Sequence, residues 1–391
     1  MRDRKVYILG GLRSHIGIRY GIFKSVRPEV LGGRVAAELC RRYSVVPDLC
    51  ICGNAVGPGG NIGRLLLLES GFPERVPAFT LDLQCASGLA AIDMAAGRIA
   101  AGQCDVVLAG GAESASLQPK RIYADHDERA KLRNPEFTAA QFMPGEFGDD
   151  AMLLGAERAA KAAGITREEA GITREEADEA ALRSQMLAKD ASENGIFRDV
   201  ILPLFGSTRD EAIRPRMSRK LLERAPRVTD FQDGILTAAN SCTMNDGAAF
   251  LLLVSEAWAD EHEITPAFEI ADTRLIGSDP KVPPLAADAA VSEMLEANQL
   301  TYEDIDAFEY NEAFAVISAH FMKKHPEVAG RLNQAGNALA YGHPYGASGA
   351  EIMIHLMEIL REKEGRLGAA AIPAAGGVGE AILVKRTEAE E

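Results

Sequence analysis

Short apolar runs alternate with longer amphipathic stretches through most of this chain. Val6-Tyr7-Ile8-Leu9 reads as a strand, Glu29 to Tyr43 as a helix and Leu49 to Cys52 as a strand. The order continues with a strand at Ala78 to Gln84, a helix at Ser87 to Ala101, and a strand at Val106 to Ala109 that runs into Gly110-Gly111. Such alternation predicts a largely parallel sheet covered by helices, an α/β fold.

From about residue 265 the pattern returns. Phe268 to Ile270 is extended, Ala286 to Ala297 helical and Ile305 to Tyr310 extended. Ala347-Ser348-Gly349-Ala350 then opens a helix to about Glu362, followed by a strand at Ala369 to Ile372 that ends in Gly376-Gly377. This order repeats the one from Ala86-Ser87-Gly88 to Gly110-Gly111, and we read it as a duplication of one α/β unit. Chance likeness between two small-residue helices is the alternative. The expected halves are residues 1–116, completed by about 244–264, and 265–391. The stretch 117–243 breaks the alternation and reads as an inserted region rich in charge and helix formers. It contains a tandem heptad, Gly164 to Ala170 repeated at Gly171 to Ala177. Each copy carries a capping-box pattern, Thr166 with Glu169 and Thr173 with Glu176. One copy suffices to start the helix through Ala180 and Ser184, so the other reads as a harmless insertion.

With 391 residues, 47% of them hydrophobic, the chain can bury a large core. Its net charge of −15 argues against a nucleic-acid partner and against an anionic membrane surface. A phosphate-bearing ligand remains compatible, because a local pocket outweighs the global sum. The six cysteines (40, 50, 52, 85, 104 and 242) form neither a disulfide framework nor a metal ladder. Cys50 and Cys52 alternate in an apolar strand and read as core. The start, Met1-Arg2-Asp3-Arg4-Lys5, is polar, and no apolar run reaches membrane-spanning length. Free thiols without an export signal point to a reducing cytoplasm.

Cys85 carries the strongest chemical signal. It lies between an apolar extended run and a helix opening Cys-Ala-Ser-Gly-Leu-Ala-Ala. Unpaired N–H groups and the positive end of the helix dipole favour a thiolate there. Small neighbours would let a bulky thioester approach, whereas the bland alternative is a buried cysteine at a strand–helix corner. His343 sits in Tyr-Gly-His-Pro-Tyr-Gly-Ala-Ser-Gly, also just before a small-residue helix. The duplicated halves therefore each place one reactive side chain at a helix start, and a Cys85–His343 pair is a plausible activated nucleophile. Asn311-Glu312-Ala313-Phe314 follows an extended run. Asn311 would hold a water or a thioester oxygen and Phe314 would line an apolar tunnel, unless the pair is only a helix cap. Asn240 to Ala249 is a polar turn into an apolar strand. Gly57 to Gly63 lacks the register of a dinucleotide fingerprint.

Taken together these segments resemble the thiolase family almost end to end. The resemblance covers Leu12-Arg13-Ser14-His15-Ile16-Gly17, the Cys85 segment, Ala109 to Ser114 and Asn-Asp-Gly-Ala-Ala at 245–249. Most specific are Asn-Glu-Ala-Phe at 311–314 and Gly-His-Pro-x-Gly-Ala-Ser-Gly at 342–349. It implies two similar halves in a five-layered αβαβα core, a loop domain over the coenzyme A site, and a homodimer or homotetramer. Acyl-CoA and CoA would be substrates, with no permanently bound cofactor and no metal. Cys85 would take the acyl group and His343 would activate it. Asn311, through a water, would join His343 in one oxyanion hole. The Cys85 N–H would serve a second, with an N–H from the loop holding Ala375 and Gly376. Met152 and Phe314 match positions that contact the pantetheine or acyl portion, and Cys242 falls where thiolases carry a serine near CoA.

One departure bears on the reaction. Thiolases close with Cys-x-Gly-Gly-Gly-x-Gly, whose cysteine deprotonates the second acyl-CoA; here Pro373-Ala374-Ala375-Gly376-Gly377-Val378-Gly379 puts proline at that position. Ala375 also replaces a glycine and accepts a positive φ poorly, and Asn337 stands where a glycine is usual. The expected function is that of an acyl-CoA acyltransferase, acetyl-CoA C-acetyltransferase-like, with ordinary thiolase activity impaired. Acyl transfer to a non-carbon acceptor and a non-catalytic CoA-binding subunit are the alternatives.

Overall fold

The computed structural model describes residues 4–132, 136–145, 151–163 and 171–387. The first half runs β1 (Val6–Ser14), α1 (Pro28–Tyr43), β2 (Leu49–Gly53), α2 (Ile62–Glu69), β3 (Ala78–Leu81), α3 (Ser87–Ala100) and β4 (Val106–Ser114). After the helices α4 (Ala151–Ala162) and α5 (Arg174–Asn194) of the inserted region, β5 (Asn245–Ser255) completes it. The second half runs β6 (Phe268–Gly277), α6 (Ala286–Ala297), β7 (Ala307–Tyr310), α7 (Ala315–Lys324), α8 (Tyr345–Glu362), β8 (Leu367–Ala374) and β9 (Val378–Arg386).

The strands lie in the order β7-β8-β9-β6-β1-β5-β4-β2-β3. Read outward from the middle, each half begins with its first strand, β1 or β6, next to its last, β5 or β9. The duplication is therefore visible as mirrored strand order. A short antiparallel ladder, Val6↔Ile270 to Ile8↔Phe268, joins the halves. The sheet is more mixed than the alternation predicts. Helical crossovers give the parallel pairs β2–β3, β2–β4 and β7–β8. The closing strands β5 and β9 instead return antiparallel against β4 and β8. β9 follows β8 through a turn whose left-handed residues are Gly376 and Gly377, and a tight turn of this kind reverses the chain.

Helix α1 covers the outer face of the first half, and α6 that of the second. Between the halves lie α3 and α8, which touch each other and strands of both halves. That produces the five αβαβα layers. Sequence accounts for the placing of α8: its run Ile352-Met353-Ile354-His355-Leu356-Met357 is buried all round, as expected of a helix apolar on every side. The two helices cross at backbone contact. A Cβ added at Gly349 would land on the main-chain nitrogen of Leu89, and one at Gly88 would lie 2.8 Å from the carbonyl oxygen of Gly346. The glycines of the two Ala-Ser-Gly segments thus permit the crossing. In the inserted region, α5 starts from the second heptad copy, where Thr173 and Glu176 form the expected capping box. The first copy, with Thr166 and Glu169, lies outside the described residues.

Replacing a helical glycine by alanine ordinarily stabilises by about 1 kcal/mol. Gly349→Ala is expected to do the reverse, lowering the unfolding free energy by about 3 kcal/mol because its methyl meets main chain. Gly97→Ala, on α3 with nothing within 4 Å of the added carbon, is expected to raise it. Denaturant titration of the two variants checks the contrast, and equal effects would contradict the close crossing.

Candidate active site

Strand β3 stops at Leu81, short of the Gln84 end that the apolar run suggests. The chain turns sharply instead. Asp82 Oδ1 accepts from the Gln84 N–H at 2.9 Å, and Gln84 adopts a left-handed φ of 53°. Ser87 Oγ closes the turn, accepting from Leu83 N–H at 2.8 Å and donating to Gln84 O at 2.6 Å. Cys85 rides on this turn immediately before α3. A strained residue beside a reactive one is a common device for holding a side chain clear of its own backbone.

The His343 loop is built from the other half. Its N–H reaches Thr243 O at 3.0 Å and Asn245 Oδ1 at 3.2 Å. The preceding Gly342 has φ 98°, and a Cβ there would collide with the Asn245 amide. His343 Nδ1 lies 2.7 Å from Ser348 Oγ and 3.3 Å from Asn311 Nδ2. Nε2 is buried with no partner. Tyr345 packs edge-on against the ring at 4.6 Å between centroids. The serines of the two Ala-Ser-Gly segments therefore do matching work: Ser87 fixes the Cys85 turn and Ser348 fixes the His343 ring.

Cys85 and His343 open onto one cavity of about 180 Å³, together with Met152, Cys242, Phe314 and Ala375. No hydrogen bond joins thiol and imidazole, since Nε2 is unpartnered; catalytic contacts often tighten only with substrate bound. Asn311 stands behind His343 rather than in the cavity wall. Gly376 is next to Ala375 but does not line the cavity. The left-handed positions of that loop fall on Gly376 and Gly377 (φ 90° and 77°), so Ala375 escapes the strain expected of it. Asn337 is extended, not left-handed, at φ −150°; it caps a short helix through a 2.7 Å bond from Ala338 N–H. Pro373 is buried in β8 opposite Gly379 and is not in the cavity wall.

Electrostatics corrects one expectation. Burial pushes the Cys85 thiol up to about 12, although the main-chain N–H groups of Cys85 and Ala375 reach the sulfur and pull the other way. Desolvation outweighs the helix N-terminus because the thiolate would be packed round by protein on most sides, with only partial access to water. Burial likewise takes His343 down to about 3. The resting pair is neutral thiol and neutral imidazole.

Sequence reasoning missed Gln84, Ser348, Asn245 and Arg121, the last a cation in the cavity wall. Ser348 carried a signal in its match to Ser87, and Asn245 in the Asn-Asp-Gly-Ala-Ala segment. Glu312, expected to be partly exposed if it merely followed a cap, is buried between Ser184 and Ser318. A second, open cavity of about 700 Å³ is lined by Arg209, Arg214, Arg216, Met217, Ala238 and Ala239, a few residues upstream of Cys242. It is cationic on a strongly acidic protein and suits a phosphate-bearing group. Among the described residues no group of His, Cys, Asp and Glu could hold a metal ion, and no helix is long and apolar enough to cross a membrane.

Residues 6–257 match the family model for the thiolase N-terminal domain, and residues 264–386 that for the thiolase C-terminal domain. YhfS of Bacillus subtilis (strain 168), provisionally named an acetyl-CoA C-acetyltransferase, is 35% identical over 96% of this chain and 98% of its own. The Bacillus anthracis acetyl-CoA acetyltransferase structure superposes with a TM-score of 0.89 at 30% identity, covering 98% of this chain and 99% of its own. Human mitochondrial 3-ketoacyl-CoA thiolase in complex with CoA gives 0.88 at 28% identity, with 98% of each chain covered. The chain belongs to the thiolase family.

A thiol held up at about 12 predicts that alkylation of Cys85 by iodoacetamide accelerates steadily from pH 7 to pH 10. Peptide mass spectrometry of quenched samples follows it. A plateau near the ordinary thiol value of about 8.5 would contradict the burial argument.

Proposed function

We propose that this chain is an acyl-CoA acyltransferase that forms an acyl-enzyme on Cys85. The observation that carries the reading is the buried, unpartnered Nε2 of His343, sharing one cavity with the Cys85 thiol. The reading requires the tautomer in which Nδ1–H donates to Ser348 Oγ, a hydroxyl 2.7 Å away that can accept, so that Nε2 keeps its lone pair. Because burial holds His343 neutral, that lone pair is free across the physiological range.

The chemistry follows. With an acyl-CoA in the cavity, Nε2 takes the thiol proton as sulfur attacks the thioester carbon. The N–H groups of Cys85 and Ala375, which already converge at the sulfur, stabilise the oxyanion. The C–S bond to CoA breaks and the leaving thiolate recovers the proton from His343. Asn311 positions the ring. Met152, Phe314 and Cys242 border the acyl and pantetheine path, and the Arg209–Arg214–Arg216 cavity receives the phosphates. The CoA complex of the human relative supports CoA as the ligand class. Free cysteines and bacterial relatives support a cytoplasmic setting.

The second half-reaction is the weak one. Pro373 supplies no proton acceptor, and general acid–base help is worth about 10²–10⁴-fold. Incubation with acetyl-CoA is expected to add one acetyl group to the intact mass, and Cys85→Ala to abolish the gain; no gain with any acyl-CoA would sink the proposal. Cleavage of acetoacetyl-CoA by free CoA is expected to be slow, and Pro373→Cys to raise it at least tenfold.

A homodimer or homotetramer completes the reading. Edge strand β3 is half-buried, and Leu65, Leu68 and Met94 lie exposed on α2 and α3 close to it in the chain. Unpaired strand edges with apolar neighbours favour pairing with a second copy. Light scattering is expected to give at least twice the chain mass, and a monomer at micromolar concentration would refute it.

A further inference from the structure

We propose that the acyl group taken up by Cys85 ends in a carboxylate, which Arg121 binds inside the catalytic cavity. The substrate class is then the CoA monothioester of a dicarboxylic acid. This rests on the acyl-enzyme reading and narrows it.

Arg121 lies on a two-residue strand, Arg121–Ile122, paired with Glu136–Phe137. Its side chain opens onto the same cavity as Cys85 and His343. Among the described residues it has no carboxylate partner; Glu136, across the hairpin, pairs with Lys120. The guanidinium makes only two long contacts, to Thr138 O at 3.3 Å and Gly57 O at 3.4 Å. Both exceed the usual N–H···O range. Gln118 Nε2 also donates to Thr138 O, at 2.9 Å. That acceptor stays satisfied if Arg121 turns to a ligand, so the arginine is spare.

Arg121 is half-buried, and its guanidinium faces a cavity whose wall is apolar at Val56, Ala139, Ala140 and Phe142 and polar at Gln84, Gln118 and Thr138. It stands there as a partly desolvated cation with no counter-charge among the described residues. Arginine's planar fork matches a carboxylate in two parallel hydrogen bonds. On the proposed reading the phosphates of CoA have their own cationic site in the Arg209–Arg214–Arg216 cavity. What remains to meet Arg121 is the distal end of the acyl chain.

The test follows acylation of Cys85 by intact-mass spectrometry. Succinyl-, glutaryl- and adipyl-CoA are compared with 4-methylpentanoyl-CoA, whose isopropyl end copies the shape of the succinyl carboxylate. At least one carboxyacyl thioester is expected to react about tenfold faster than the neutral one, a difference of roughly 1.4 kcal/mol. Arg121→Met is expected to bring that ratio to one or below, while Arg121→Lys keeps part of it. Circular dichroism melting confirms that both variants fold. Faster reaction with the neutral thioester in the unaltered protein would overturn the proposal. So would an Arg121→Met variant slowed equally with all thioesters, the mark of a structural or CoA-phosphate role. No adduct with any thioester, acetyl-CoA included, would overturn the Cys85 reading itself and this one with it.

Discussion

The close crossing of α3 and α8 is the constraint on which the site depends. Each helix brings a reactive residue two positions ahead of its first turn, Cys85 before Ser87 and His343 before Tyr345. Their separation is set by main chain against main chain, because Gly88 and Gly349 leave no side chain between the helices. A distance fixed by backbone contact does not relax as side-chain packing does, which is what positioning of reacting groups requires. The surrounding core holds the crossing in place: Leu89, Ile92, Met353 and Leu356 are buried in one cluster with strands of both halves. Burial of that apolar area supplies the drive, and the glycines decide how far it can go.

The same pair of segments explains how much was legible in the sequence. Apolar runs located most strands, and the recurrence of Ala-Ser-Gly located both helix starts. Both signals depend on local residue type and spacing. What escaped depends on tertiary contact. The turn at Asp82–Cys85 lies inside an apolar run, so nothing local marks where β3 ends. Val378–Arg386 follows two glycines with no helix before it, and its antiparallel return is a property of the turn, not of the strand. Arg121 reads as one more charge in a charged region until the hairpin brings it to the cavity.

Charge at the site shows why motif logic and structure can disagree about one atom. The dipole and free N–H groups at the start of α3 do act on Cys85, and two N–H groups reach its sulfur. They act on a partly buried group in a cavity wall, where the desolvation of an anion outweighs them. His343 is pushed the opposite way by the same burial. Both shifts oppose a standing thiolate–imidazolium pair. On the proposed reading the reactive anion arises during attack, the proton moving to Nε2 as negative charge passes to the thioester oxygen. A site of this kind stays chemically quiet without substrate, and its rate reports the oxyanion donors more than the resting acidity.

Proline at 373 is compatible with the scaffold for a reason visible in the ladder. The parallel pairing of β7 with β8 ends at Tyr310↔Ala371, so residue 373 lies past the end of β7. There a missing N–H removes no bond to that neighbour. The fold tolerates the change because Gly376 and Gly377 still turn the chain and Ala375 still presents its N–H to Cys85. Capture of an acyl group, as proposed, uses groups placed by the helix crossing and the Ala375 turn. Generation of a carbon nucleophile, as proposed, needs a base, and proline at 373 supplies none. On the proposed reading, the two half-reactions thus draw on separable parts of the architecture.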